Sequence, residues 1–451
     1  MESSLPLERK SFRFAKIVMP ILITQIALYL VTFFDILMTG RYDTYHLAGV
    51  TIGSSFWVPV YTGLAGILMA LTPIIAQQIG ARRHEEIRPS VQQGIYVAIA
   101  LAIVVFGLIL FVFFPIIRTM SLDAPVGSIA IDYLKGMCVG LAPLFAYTVL
   151  RSFFDALGST RVSMVIILIS APINIVLNYL LIYGHFGFPE LGGAGAGYAS
   201  GITYWIVFTI AAAVALTGKP YQKFELLKHW QMPRWTYWKE ILLIGVPIGM
   251  SIFIETSIFS VVTLMMSAYS TEVISAHQVA LNFTSLLYMI PLSISMGATI
   301  LVGQSIGANR NDDARSYSLL GISFAVIFSF VGIAILLIFR EQIASLYTTD
   351  RSIITLSAQF FVFAALFQLS DAVQAPIQGA LRGYKDVNVT FLMGFISLWV
   401  IGLPVGYVVA SYTDLGPFGY WVGLIAGLTV GATTLSFRLR AVQRKHALQT
   451  P

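Results

Sequence analysis

The sequence predicts an all-α polytopic membrane protein with twelve transmembrane helices in two six-helix bundles related by a parallel internal repeat. Three observations carry that expectation. Of 451 residues, 57% are hydrophobic and only 11% are charged, where an ordinary soluble domain carries roughly 25% charged residues. The mean hydropathy of +0.82 is spread over repeated apolar runs, each about one bilayer long. Finally, the second half of the chain repeats the punctuation of the first in the same order.

Breaks marked by charge or by Gly and Pro divide the first half into spans near 14–39, 50–79, 91–117, 131–154, 162–184 and 194–217. The second half divides near 240–268, 276–305, 316–339, 353–380, 388–411 and 418–438. The apolar run from Ile17 to Gly40 follows Arg9, Lys10, Arg13 and Lys16, but it is too long for a signal peptide and reads as an uncleaved first span. Twelve such spans leave almost nothing for a soluble domain, so the function is expected inside the membrane.

With both termini in the cytoplasm, 22 of the 27 Lys and Arg residues fall on inner segments, and only Arg41, Arg118, Lys135, Arg340 and Arg351 fall outside. That bias sets the expected orientation. It also accounts for the net charge of +6 without nucleic acid as a partner, since no basic run is interleaved with aromatics. The longest inner loop carries Lys219, Lys223, Lys228, Arg234 and Lys239 at the midpoint of the chain. The expected division is an N-lobe over 1–217, a cytoplasmic linker over 218–239, and a C-lobe over 240–451 that ends in a short basic tail. The single Cys138 excludes an internal disulfide and a CxxC metal or redox site.

The repeat is explicit. Gln77-Gln78-Ile79-Gly80-Ala81-Arg82-Arg83 matches Gln304-Ser305-Ile306-Gly307-Ala308-Asn309-Arg310 at an offset of 227, which Arg88 and Arg315, and Pro20 and Pro247, also share. Further on, Gly158 pairs with Gly383, and Leu191-Gly192 with Leu415-Gly416. An even number of spans per half makes the repeat parallel, with two bundles around a central cleft. Gly193, Gly197 and Gly201, and Gly423, Gly427 and Gly431, form small-residue ridges suited to close helix packing.

Three acids stand well inside apolar runs: Asp35, Glu255 and Asp371. Each costs about 2.5 to 3.5 kcal/mol to insert. Nearly all Lys and Arg fall in loops or at span ends, so buried salt bridges do not explain these acids; they are protonated, solvated or waiting for a cation. Gln368, Asp371, Gln374 and Gln378 follow at helical spacing, and that polar face cannot look at lipid. Ser170, Asn174 and Asn178, at steps of four, offer oxygen ligands to a hard cation. Na+ could therefore rest on Asp35, Asn174 and Asn178, or on Glu255 and Asp371. Asp155 differs, because Arg151 one turn earlier supplies an ordinary ion pair. His277 reads as a packing or capping residue, with Gln278 beside it a candidate for the cavity. Phe34, Phe259, Met265 and Tyr288 could line a wall for a flat hydrophobic cation, although the spacing of such residues does not separate a cavity wall from core.

These features together resemble the multidrug and toxic compound extrusion family, in its bacterial NorM branch. The residues that carry the resemblance are the stretch from Gly53 to Arg83 with Trp57, Pro59 and Gln77, and Ala276-His277-Gln278-Val279-Ala280-Leu281-Asn282. The resemblance implies an exporter in the bacterial cell membrane that exchanges inward Na+ or H+ for small organic cations, with no cofactor and a monomer sufficient. Asp35 matches the acid of the first lobe, Asn174 and Asn178 its polar partners, and Glu255 and Asp371 the acids of the second lobe. Asn178 stands where some relatives have aspartate, and Phe367 where some sodium-coupled relatives have tyrosine. Substrate and coupling cation are expected to compete for the same negative charge, with Pro20, four turns from Asp35, as the hinge candidate.

Rival readings remain. A flippase for lipid-linked saccharides would want cations for a pyrophosphate headgroup. An intramembrane aspartyl enzyme on Asp35 and Asp371 would want a GxGD-type motif, and a channel would want a ring of identical segments. The chain has acids in place of the first and lacks the other two.

Overall fold

The computed structural model of the chain describes residues 6–449. Among them every regular element is a helix. The spans are α1 (Leu7–Tyr42), α2 (Thr44–Gly80), α3 (His84–Thr119), a bent α4 (Ala124–Val139 and Leu141–Ala156, 50° apart), α5 (Thr160–Tyr183) and α6 (Gly193–Thr217). The series repeats as α7 (Trp235–Met266), α8 (Thr271–Gly307), α9 (Asn311–Ile338), α10 (Arg351–Gly383), α11 (Val387–Tyr412) and α12 (Phe418–Leu448). Counting the bent pair as one, the twelve expected spans are present.

Local chemistry sets the ends and the irregularities. Asp43 caps α2 by accepting from the Tyr45 and His46 amides, and Asp350 caps α10 by accepting from the Ser352 amide and hydroxyl at 2.9 and 2.8 Å. Those bonds hold the Asp350 carboxyl below the usual carboxylate range. Helices α3 and α11 widen to π geometry at Ile109–Phe113 and Ile396–Gly402. In each case a proline follows, Pro115 and Pro404, and its missing N–H leaves the carbonyl four residues back without its helical donor.

Turn geometry refines the repeat. Arg82 and Asn309 are both left-handed, at φ 58° and 56°, as are Gly158 and Lys385, at 77° and 59°. Both pairs stand at an offset of 227, so the structural mate of Gly158 is Lys385 rather than Gly383. Gly192 and Gly416, at φ 58° and 53°, keep the offset of 224 read from the sequence.

The chain forms two compact units. The first runs Ile23–Gly249; the second joins the chain up to Leu22 with Met250 onward. Helix α1 thus changes unit after Leu22 and α7 after Gly249, each two residues beyond its proline, Pro20 or Pro247.

In the first unit, the glycines of α6 lie directly on α4. A Cβ on Gly197 would sit 2.2 Å from the Tyr133 carbonyl oxygen, so only glycine permits this approach. The 218–239 segment is tied to α3 by two fully buried glutamines. Gln92 donates to the Leu226 and Lys228 carbonyls at 2.8 and 3.1 Å. Gln93 donates to the Met232 carbonyl and accepts from the Arg234 amide and the Trp238 indole.

In the second unit, the opening turns of α1 dock through a buried ion pair, Lys10 Nζ to Asp313 Oδ1 at 2.7 Å. Arg13 donates to Gln304 Oε1 at 2.8 Å, and Phe14, Ile17, Val18 and Ile21 enter the core beside Ile294, Leu301 and Leu381. A second cluster gathers Ile258, Phe360, Phe361, Phe367 and Trp421.

Candidate functional site

Each unit holds one polar cluster built around acids. In the first unit, Asp35 on α1 meets α5, where Asn174 and Asn178 are one turn apart and fully buried. Asn178 Nδ2 donates to Asp35 Oδ1 at 2.5 Å and to Asn174 Oδ1 at 3.1 Å. Asn174 Nδ2 reaches Thr203 Oγ1 on α6 at 3.4 Å, and the Thr203 hydroxyl donates onward to the Ala199 carbonyl. The chain of donors therefore runs out before every acceptor is satisfied. Asn178 Oδ1 is buried with no hydrogen-bond partner among the described residues. A buried amide oxygen beside a carboxylate is the donor set a hard monovalent cation prefers. Ser170, on the same helix face, donates to the Ile167 carbonyl and takes no part in this network. Thr203 was not legible as a site residue, since a lone threonine in an apolar run gives no signal.

The second unit's cluster lies on α10 and α7. Gln378 Nε2 donates to Glu255 Oε1 at 2.7 Å. Asp371, Gln368 and Gln374 on the same face of α10 are all buried, and Asp371 Oδ2, Gln368 Oε1 and Gln374 Oε1 have no hydrogen-bond partner among the described residues. Three buried acceptors with no donor would each cost on the order of 1 to 3 kcal/mol, more for the charged one, unless a cation or a proton visits. The Glu255 charge reaches Asp371, and Tyr288 on α8 feels both acids.

One expectation needs correction. The acids are not without a nearby cation, because Arg382 is buried in the second unit and its charge reaches Glu255 and Tyr288. Its place at the end of an apolar run makes it read as a loop residue. However, α10 continues to Gly383, so Arg382 is held one turn beyond Gln378 on an inward face.

The remaining candidates fall in different places. Phe259 packs edge-on against Phe367 at 5.8 Å, and with Met265 it borders the second unit's apolar core. Phe34 meets Phe33 edge-on at 5.8 Å, and Gln278 is exposed. Pro20 is buried inside α1. His277 is fully buried and bonded at both ring nitrogens. The Trp421 indole donates to its Nδ1 at 3.1 Å and Thr263 Oγ1 lies 3.1 Å from its Nε2. Because indole only donates, Nδ1 is the acceptor and the ring proton belongs on Nε2, the arrangement of a packing histidine. Asp155 is paired as expected, at 3.5 Å from Arg151 Nε, with Ser163 donating at 2.8 Å. Among the described residues no three His, Cys, Asp or Glu side chains gather as a metal site, so any cation held here rests on one or two carboxylates plus neutral oxygens.

Comparison with known proteins bears on what these clusters serve. The MatE family model matches residues 20–180 and 247–408, one match in each half. A protein of Halalkalibacterium halodurans described as probable multidrug resistance protein NorM is 52% identical over 445 residues, 99% of this chain and 97% of that one. A protein of Bacillus subtilis with the same description is 52% identical over 431 residues, 96% and 95% of the two chains. Among solved structures, the bent form of the Vibrio cholerae MATE transporter VcmN superposes with a TM-score of 0.86 at 16% identity, covering 98% of this chain and 99% of that one. A likeness at that identity speaks for the fold alone.

Proposed function

The chain belongs to the MatE family, and from that premise we propose that it is a multidrug efflux antiporter, exporting small organic cations in exchange for inward Na+ or H+. The observation that carries this reading is the buried Asp371 carboxylate, with an oxygen that nothing among the described residues satisfies, between two glutamine oxygens in the same condition. Such a face attracts any cation that can shed its water, and an organic cation sheds water more cheaply than a metal ion does. An entering Na+ or proton takes the same charge, so the two occupants exclude one another, and that exclusion is the thermodynamic basis of exchange. The relatives described as multidrug resistance proteins support the substrate class. The clustering of Lys and Arg on alternate loops supports a cell-membrane protein with both termini in the cytoplasm. Each cluster draws on one chain alone, which supports a monomer as the working form.

The test is direct. In proteoliposomes at equal pH on both sides, an imposed Na+ gradient is expected to drive ethidium in the opposite direction, and a pH gradient does so if the proton is the coupling ion. Failure of both gradients sinks the antiport reading.

Pro20 is our candidate hinge, a reading supported by its standing two residues before α1 changes unit. Pro20→Ala restores a backbone donor and stiffens the helix. Ethidium transport is expected to slow about three- to tenfold, while the Kd for ethidium stays within about twofold of the unaltered protein. Equal loss in both quantities would make Pro20 a packing residue.

A further inference from the structure

The repeat supplies an internal control for the second unit's cluster. At the offset of 227, Arg151 maps to Gln378, Asp155 to Arg382 and Tyr61 to Tyr288. In the first unit the pair is closed on itself: Arg151 lies 3.5 Å from Asp155, Ser163 donates to the same carboxylate, and the Arg151 charge reaches Tyr61. In the second unit the sign at the mapped position is reversed and the partner is gone. Gln378 stands where a counter-ion would be, and its amide is spent on Glu255 at 2.7 Å. Arg382 is only 8% exposed, its charge reaches Glu255, and the ion pairs of this unit's described residues, Lys10–Asp313, Arg310–Asp313 and Arg438–Asp386, leave it out. At i,i+4 from Gln378, Arg382 stands one turn from the residue that grips Glu255.

We infer that Arg382 fixes the net charge of the second unit's site and so makes it selective for singly charged organic cations over doubly charged ones. This inference rests on the proposed function, since it takes Glu255 and Asp371 as the substrate's counter-charges. Elsewhere in this unit the buried Lys10 is already matched with Asp313 at 2.7 Å, and the half-buried Arg438 with Asp386 at 2.7 Å. With Glu255, Asp371 and Arg382 all ionised, the site carries one net negative charge. A monocation neutralises it. A dication overshoots and leaves an uncompensated positive charge in a medium of low dielectric, where one unit of charge at contact distance weighs heavily. The glutamine at 378 serves the same end, because an acid there would take Arg382 out of the count.

Ethidium and propidium test this, sharing one phenanthridinium ring and differing by one permanent positive charge. Their Kd values are measured by fluorescence on the purified full-length protein in lipid nanodiscs at low salt. In Arg382→Gln the ratio of propidium Kd to ethidium Kd is expected to fall at least about tenfold, while Arg382→Lys leaves the ratio within about twofold. Combining Arg382→Gln with Glu255→Gln returns the site to one net charge, and the ratio is expected to return with it. Gln378→Glu adds the negative charge by another route and should move the ratio the same way, even if Arg382→Gln does not fold. An unchanged ratio in a folded Arg382→Gln or Gln378→Glu variant that still binds ethidium overturns the inference. Binding of neither dye to the unaltered protein overturns the antiport reading beneath it as well.

Discussion

Asp371→Asn is expected to lower gradient-driven ethidium export by about 100-fold, the scale of one charge lost at contact distance in a partly polar interior. The substitution keeps the shape of the side chain, and it removes a buried carboxylate whose Oδ2 has no hydrogen-bond partner among the described residues. Thermal stability should therefore hold or rise, since an unsatisfied buried charge is a cost to the folded state. That combination separates a binding residue from a structural one, which would lose stability and transport together. Export undiminished at equal expression would remove Asp371 from the site.

Lys10→Met should have the largest effect on stability. Lys10 and Asp313 are each only 8% exposed at the side chain, and truncating Lys10 leaves the buried Asp313 carboxylate only the longer contact to Arg310 at 4.0 Å, a loss of up to about 3 to 5 kcal/mol. A lowered midpoint in thermal unfolding of the detergent-solubilised protein checks this. Adding Asp313→Leu to Lys10→Met removes the stranded charge and should recover most of the loss, the signature of a coupled pair. If the single variant melts with the unaltered protein, the pair is solvated and contributes little.

Lys10 and Arg382 also show where reading the sequence stops. The twelve spans and the parallel repeat were legible because apolar runs and their breaks survive in one dimension, and the acids stood out because carboxylates are dear in an apolar run. The step of four from Asn174 to Asn178 placed both amides on one face, and the structure brings that face to Asp35. Cations were harder to place. Lys10 and Arg382 sit at the ends of spans, where arginine and lysine ordinarily reach for water, and nothing in their spacing distinguishes them from Arg9 or Lys385. What buries them is tertiary: α9 brings Asp313 to Lys10, and α10 stays helical through Gly383. Gln92 and Gln93 were illegible for a related reason. Their partners are mostly backbone groups of the 218–239 segment, and a carbonyl or amide leaves no mark in the letters.

The change of unit within α1 has a consequence for how the protein is made. The turns up to Leu22 leave the ribosome well before the chain from Met250 with which they pack, and Lys10 must wait about 300 residues for Asp313. At ordinary elongation rates that delay is roughly 15 to 60 s. During it, Phe14, Ile17, Val18 and Ile21 have no core to enter. The first unit, by contrast, is complete once Gly249 has been added. Assembly is therefore ordered in time: the unit between the two crossing points can close during synthesis, and the unit that contains the N-terminal turns closes last.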